Sequence, residues 1–195
     1  HTYYPDYIWH NQEKVILAGN EGDKREDYTH DMFTNFSLDF IRNHQDEPFF
    51  LYVPWCIPHD RLELPDLGPY ENVAWDDNQK KYAAMVTRMD RDVGSILDLL
   101  EELDLDRKTI LFFCSDNGAA RRWSGRFDSS GILRGHKRDM YEGGLRSPMV
   151  VRWKGTIPEG VESDAVWWFA DVLPTFAALA GAEAPEGLDG WNVLP

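Results

Sequence analysis

The chain has 195 residues, 43% hydrophobic and 28% charged, which is enough for one sizeable core and argues against wholesale disorder. Its net charge of −14 argues against a nucleic-acid coat, which needs a basic surface. No apolar run reaches the roughly 18–20 residues that span a bilayer.

The first ten residues, "HTYYPDYIWH", contain no initiator Met and no basic, apolar leader, so the chain reads as a piece of something longer. The next stretch, "YIWHNQEKVIL" (7–17), reads as a hairpin turning at Asn11 and Gln12. A polar loop follows. A helix is predicted from about Thr29, a plausible N-cap, to Asn43, with Met32, Phe33, Phe36, Phe40 and Ile41 at helical spacing.

"PFFLYVP" (48–54) is a continuous apolar run of strand length, the pattern of a strand covered on both faces. A proline-rich loop between Pro54 and Pro69 leads to a long helix over about Asp77 to Leu103. Its predicted buried stripe includes Tyr82, Met85, Met89, Val93, Ile96, Leu97 and Leu100, which at this period is core. "TILFFC" (109–114) and "SPMVVRW" (147–153) read as further buried strands, and "ADVLPTFAALAG" as a last helix stopped by Gly181. Strands alternating with helices, each strand apolar throughout, point to an α/β layered sandwich with a mainly parallel sheet. Ligands of such sheets bind beyond the carboxyl ends of the strands.

Two segments lie at such ends. "PWCIPHD" follows the first long strand, and there Pro58 restricts the backbone before His59, an imidazole that can be aimed at little entropic cost. "SDNG" follows the second. Asp116 offers a carboxylate and Asn117 an amide oxygen, hard ligands suited to Ca²⁺ or Mg²⁺, although the same residues are ordinary turn formers. From Arg121 to Lys154 the chain carries nine Lys or Arg against three acids. That basic island suits either a pocket for a small anion or a solvated strip. Within it "ILRGHKRDMYEGGLRSP" combines turn-forming glycines with Lys137, a point charge able to hold an oxyanion. Cys56 and Cys114 each end an apolar run, where a buried free thiol is the usual reading. No zinc-protease, Walker, nucleophile-elbow or dinucleotide signature is present.

In order along the chain, "PFFLYVPWCIPHD", "YAAMVTRMDRDVGSIL", "ILFFCSDNG", "LRGHKRDMYEGGLRSPMVVRWKG" and "DVLPTFAALAG…LDGWNVLP" resemble successive blocks of the formylglycine-dependent sulfatases, arylsulfatase-like members of the alkaline phosphatase superfamily. The resemblance implies a sulfuric ester hydrolase acting on aryl or carbohydrate sulfates with a divalent metal, usually Ca²⁺ and alternatively Mg²⁺. It assigns Asp116 and Asn117 to the metal site. His59 would contact the sulfate and protonate the leaving oxygen, and Lys137 would bind the sulfate group and the bridging oxygen.

The family makes its nucleophile from the Cys or Ser of Cys/Ser-x-Pro-x-Arg. Here "CIPHD" has Asp60 at the arginine position, and it matches a different block, so Cys56 is a bystander. The resemblance therefore implies that residues 1–195 are the later half of a catalytic domain, with the nucleophile region and a C-terminal subdomain outside it. It further implies that this half alone is inactive, and that the protein is periplasmic, secreted or lysosomal. Two other readings compete: a phosphodiesterase or phosphonate monoester hydrolase of the same superfamily, and a non-catalytic remnant that binds sulfated glycans.

Overall fold

Asn11, in the left-handed region at φ 56°, reverses the chain between β1 (Tyr7–His10) and β2 (Glu13–Ile16), which pair antiparallel with Tyr7 opposite Ile16. This hairpin opens the computed structural model, which describes residues 2–194. The chain divides into two units, His1–Ile157 and Pro158–Pro195.

In the first unit, helix α1 (Thr29–Asn43) has the predicted bounds, and α2 (Asp77–Glu102) ends one residue early. Asp76 caps α2, its carboxylate accepting from the Gln79 amide at 3.0 Å. Thr29 does not cap α1: Tyr28 stands at that position, and the Thr29 hydroxyl instead donates to the Tyr3 carbonyl at 3.0 Å.

The buried face of α1 also differs from the expected one. Phe33 and Phe36 are exposed, and the buried residues are Thr29, His30, Thr34, Ser37 and Ile41. Polar groups lie inside because α2 presents a buried acid to them. His30 Nε2 is 2.8 Å from Asp92 Oδ2, and the Thr34 hydroxyl is 3.4 Å from the same oxygen.

Two apolar clusters hold the unit together. Tyr3, Tyr4, Tyr28, Ile57 and Met85 form one. Ile41 with Ile96, Leu99, Leu100 and Leu105 forms the other, against which Phe49, Leu51 and Trp55 pack.

That packing explains the fate of the apolar run at 48–54. It forms no assigned strand, yet it alternates with a period of two: Phe49, Leu51 and Trp55 reach the core, while Phe50 and Tyr52 are 69% and 75% exposed. One face is covered, not two.

The predicted parallel pairing does not occur among the described strands. Strands β3 (Leu111–Cys114) and β4 (Met149–Arg152) are antiparallel, with Cys114 opposite Met149, so both described pairs are antiparallel. A parallel connection must carry the chain back to the opposite end of the first strand. Here the segment after β3 closes beside its own start: the Ser115 amide donates to the Pro148 carbonyl at 3.4 Å, and the Ser147 hydroxyl to the Ser115 carbonyl at 3.0 Å. Between them lie a single 3₁₀ turn (Arg121–Trp123) and the four-residue helix α3 (Glu142–Leu145).

In the second unit, helix α4 (Val172–Leu179) is followed by Gly181 at φ +68°. Buried Asp171 accepts from the Trp168 amide at 2.9 Å and from the Trp191 amide at 2.7 Å. The Thr175 hydroxyl accepts from the Val193 amide at 3.1 Å. These bonds tie the "GWNVL" segment back onto α4.

Candidate active site

The loop carrying His59 is fixed on both sides. Ile57 is 3% exposed in the tyrosine cluster. On the far side, Glu63 accepts from the Thr2 hydroxyl at 2.8 Å and from the Tyr3 amide at 2.9 Å, and the Tyr28 hydroxyl donates to the Glu63 carbonyl at 2.9 Å. Between these anchors the Tyr3 hydroxyl lies 3.1 Å from both the Cys56 and the His59 carbonyls. Burial pushes that phenol up to about 12, with the charges of Cys56, Asp60 and Glu63 acting the same way, so it stays a donor.

The His59 side chain is exposed, and its Nδ1 lies 2.9 Å from the Asp60 carbonyl. A carbonyl only accepts, so Nδ1 carries the proton and Nε2 is the atom left for chemistry.

The "SDNG" turn starts directly after β3, as expected. The Asn117 side-chain nitrogen donates to Asp116 Oδ1 at 2.7 Å, which leaves the Asn117 side-chain oxygen and the second Asp116 oxygen as acceptors. The turn is then locked to the glycine-rich segment by backbone bonds. The Gly118 amide donates to the Gly144 carbonyl at 3.2 Å, and the Lys137 amide to the Ala119 carbonyl at 2.8 Å. A side chain at Gly118 would collide with the Gly143 carbonyl, and one at Gly143 with that of Gly135. The glycines are therefore there for close backbone approach. Lys137 sits within a sharp reversal, flanked by Gly135 at φ +87° and Arg138 at φ +80°.

Asp60 relates the two halves. Arg122 Nη1 pairs with its carboxylate at 2.6 Å. That hydrogen bond holds the Asp60 carboxyl below its usual range, and the charges of Arg122, His59 and Lys137 act the same way. His59 and Lys137 thus both lie within electrostatic reach of one carboxylate. Asp116 and Asn117 are tied to Lys137 through the backbone, by the Ala119–Lys137 bond beside the Gly118–Gly144 bond.

Two features escaped the sequence reading. Asp60 was noted only for what it fails to match, although it pairs with Arg122 across 61 intervening residues. His30, Asp31 and Asp92 lie close enough together to hold a metal ion, and His30 Nδ1 has no hydrogen-bond partner, yet both carboxylates are already engaged. Both Asp31 oxygens accept from Arg88, at 2.7 and 2.6 Å, and Asp92 Oδ1 accepts from Arg91 at 2.8 Å. A cation there would have to displace a guanidinium, so the trio reads as a helix-to-helix clamp. The exposed Asp116–Asn117 pair has the better donor chemistry for a hard cation. The cysteines also depart from expectation: both are free and exposed.

A family model described as Sulfatase matches residues 1–182. The chain is similar to a steryl-sulfatase of Rattus norvegicus, 35% identical over 168 residues, which cover 80% of this chain and 28% of the relative. It is similar to an N-acetylgalactosamine-6-sulfatase of Canis lupus familiaris, 34% identical over 164 residues, covering 82% of this chain and 30% of the relative. Among solved structures it resembles Ps i-CgsB in complex with a k-i-k-neocarrahexaose, at TM-score 0.78 and 31% identity, over 94% of this chain and 40% of that one. The chain therefore spans about a third of the length of the curated relatives it matches.

Proposed function

The chain belongs to the sulfatase family, and from that premise we propose that it supplies the leaving-group and metal side of a sulfuric ester hydrolase. On this reading residues 1–195 are part of an alkaline-phosphatase-like catalytic domain with a layered, mainly parallel sheet, whose nucleophile region and C-terminal subdomain lie outside them. The observation that carries the reading is the backbone lock between the two loops: Lys137 is hydrogen-bonded to the turn that carries Asp116 and Asn117, while Asp60 lies within electrostatic reach of both Lys137 and His59.

Asp116 and Asn117 would hold a divalent cation, Ca²⁺ or Mg²⁺, which when bound withdraws charge from the sulfate oxygens, opposite a formylglycine nucleophile from outside this chain. The chain's own residues do the rest. The Lys137 ammonium binds the sulfate and the bridging oxygen, where negative charge grows as the S–O bond breaks. Protonated His59 keeps its Nδ1 proton on the Asp60 carbonyl and gives its Nε2 proton to the departing oxygen. The anchors at Ile57, Glu63 and Tyr3 hold the imidazole in place, which is what makes proton transfer efficient. A periplasmic, secreted or lysosomal location accompanies this reading.

The test uses a protein that carries this chain together with the remainder of the domain. His59→Ala and Lys137→Ala should each lower kcat/KM on an aryl sulfate by about 10²-fold or more. Phosphate mono- and diesters should be poorer substrates than the sulfate. Faster turnover of a phosphodiester would move the assignment to the phosphodiesterase branch, and full activity in both variants would overturn the residue roles.

A further inference from the structure

Asp60 is an acid beside the two cationic groups assigned to the sulfate. It follows His59 directly, and the Arg122 hydrogen bond, with the charges of Arg122, His59 and Lys137, holds its carboxyl below the usual range. It therefore stays ionised at any pH above the ordinary carboxylate range. Left unpaired, that carboxylate would repel a sulfate ester and draw the Lys137 ammonium to itself. We propose that Arg122 masks Asp60 and so leaves Lys137 and His59 available to the sulfate group; it is a positioning residue that acts through Asp60. This rests on the sulfatase reading above.

The pair is a poor candidate for holding the fold together. The Arg122 and Asp60 side chains are 45% and 52% exposed, and ion pairs this wet contribute little to stability. Nor does the His59 loop need the pair as an anchor, because Ile57, Glu63 and the Tyr3 hydroxyl already fix that loop. Arg122 is itself held in place. It lies in the 3₁₀ turn Arg121–Trp123, with its guanidinium over the Trp123 ring, 5.0 Å from the centroid. Trp123 in turn is 6% exposed and stacked on Tyr82 of α2, ring centroids 4.1 Å apart. The nearby arginines are directed elsewhere. Arg121 pairs with Asp139 at 3.3 Å, Arg126 donates to Gln79 Oε1 at 2.8 Å, and Arg134 donates to the Tyr141 hydroxyl at 2.8 Å. Arg122 thus meets Asp60 from a rigid platform, and what the contact changes is the charge presented beside His59 and Lys137.

The test uses the protein that carries this chain together with the remainder of the domain, with 4-nitrophenyl sulfate as substrate and inorganic sulfate as a competing anion. Arg122→Ala should raise both KM and the inhibition constant of inorganic sulfate about tenfold, at an unchanged urea midpoint. Arg122→Lys keeps the charge and should stay close to the wild type. Adding Asp60→Asn to Arg122→Ala should return both constants to within about twofold of the wild type, because the acid that needed masking is gone. A pair that merely braced the two loops would give the reverse, a double variant no better than the single one. The proposal is overturned if Arg122→Ala matches the wild type, or if Asp60→Asn fails to restore it. Lys137→Ala tells this failure from that of the underlying reading. If it weakens sulfate while Arg122→Ala does not, only the masking role fails. If it leaves both constants unchanged, the sulfate site lies elsewhere and the masking role falls with it.

Discussion

His30 shows how burial decides the state of one side chain. It is 2% exposed and sits 2.8 Å from an aspartate, a pairing that alone would favour the imidazolium. Burial wins and lowers its pKa, with Asp92 and then Asp31 pulling the other way and Arg88 adding to the lowering. The Asp92 charge is already answered by Arg91 and the Asp31 charge by Arg88, so a further proton on His30 gains little. The folded-state value therefore lies below the unfolded value of about 6.5, and the unfolded chain binds more protons just below that pH. The stability conferred by neutral His30 is present above the unfolded pKa and declines as pH falls from about 6.5 toward the folded pKa. Urea unfolding of the wild type and of His30→Gln between about pH 7.5 and about pH 5 should show a loss of stability in the wild type that is smaller in the variant. A wild-type stability that rose on acidification would contradict the burial argument.

At the scale of the element, α2 begins at its cap, and its first turn borders a cavity of about 500 Å³ beside Asp60. Asp76 holds the Gln79 amide, and Asp76, Asn78 and Gln79 all line the opening. Asp76→Ala should cost about 1 kcal/mol by denaturant titration, and it should remove one acceptor from the cavity.

The elements themselves were readable because local pattern dictates them. The Asn11 turn, the bounds of α1, the start of α2 and the Gly181 stop follow from period and turn chemistry, although Thr29 does not cap α1. What was not readable depends on distant partners. The α1 stripe of His30, Thr34 and Ser37 counts as polar in any periodicity, and only Asp92, 62 residues after His30, makes it a buried face. The antiparallel order of β3 and β4 follows from how the intervening loop closes on Ser115, which no feature of either strand announces. His59, Asp116, Asn117 and Lys137 are candidates from the resemblance, the first three also from their positions after apolar runs. The Asp60–Arg122 pair between loop and basic island carries no local signal.

At the scale of the whole molecule, the question is how much of a working site these residues can assemble. The chain spans about a third of the length of the relatives it matches, and Asp116 with Asn117 offers two donor groups where Ca²⁺ takes 6–8 oxygens. Water must supply the remainder, so most of the charge compensation that tightens a site is missing. Calcium titration of the 195-residue chain should give a dissociation constant of about 1 mM or weaker. It should shift the Asp116 and Asn117 amide signals but not those around His30, whose neighbours are already paired to arginines. Asp116→Asn should abolish the response. The same preparation, saturated with Ca²⁺, should not hydrolyse 4-nitrophenyl sulfate. Micromolar calcium binding would mean that other oxygens of this chain complete the coordination shell. Turnover above the buffer rate would mean that a nucleophile lies among these residues, and the division of labour proposed for the intact enzyme would have to be redrawn around it.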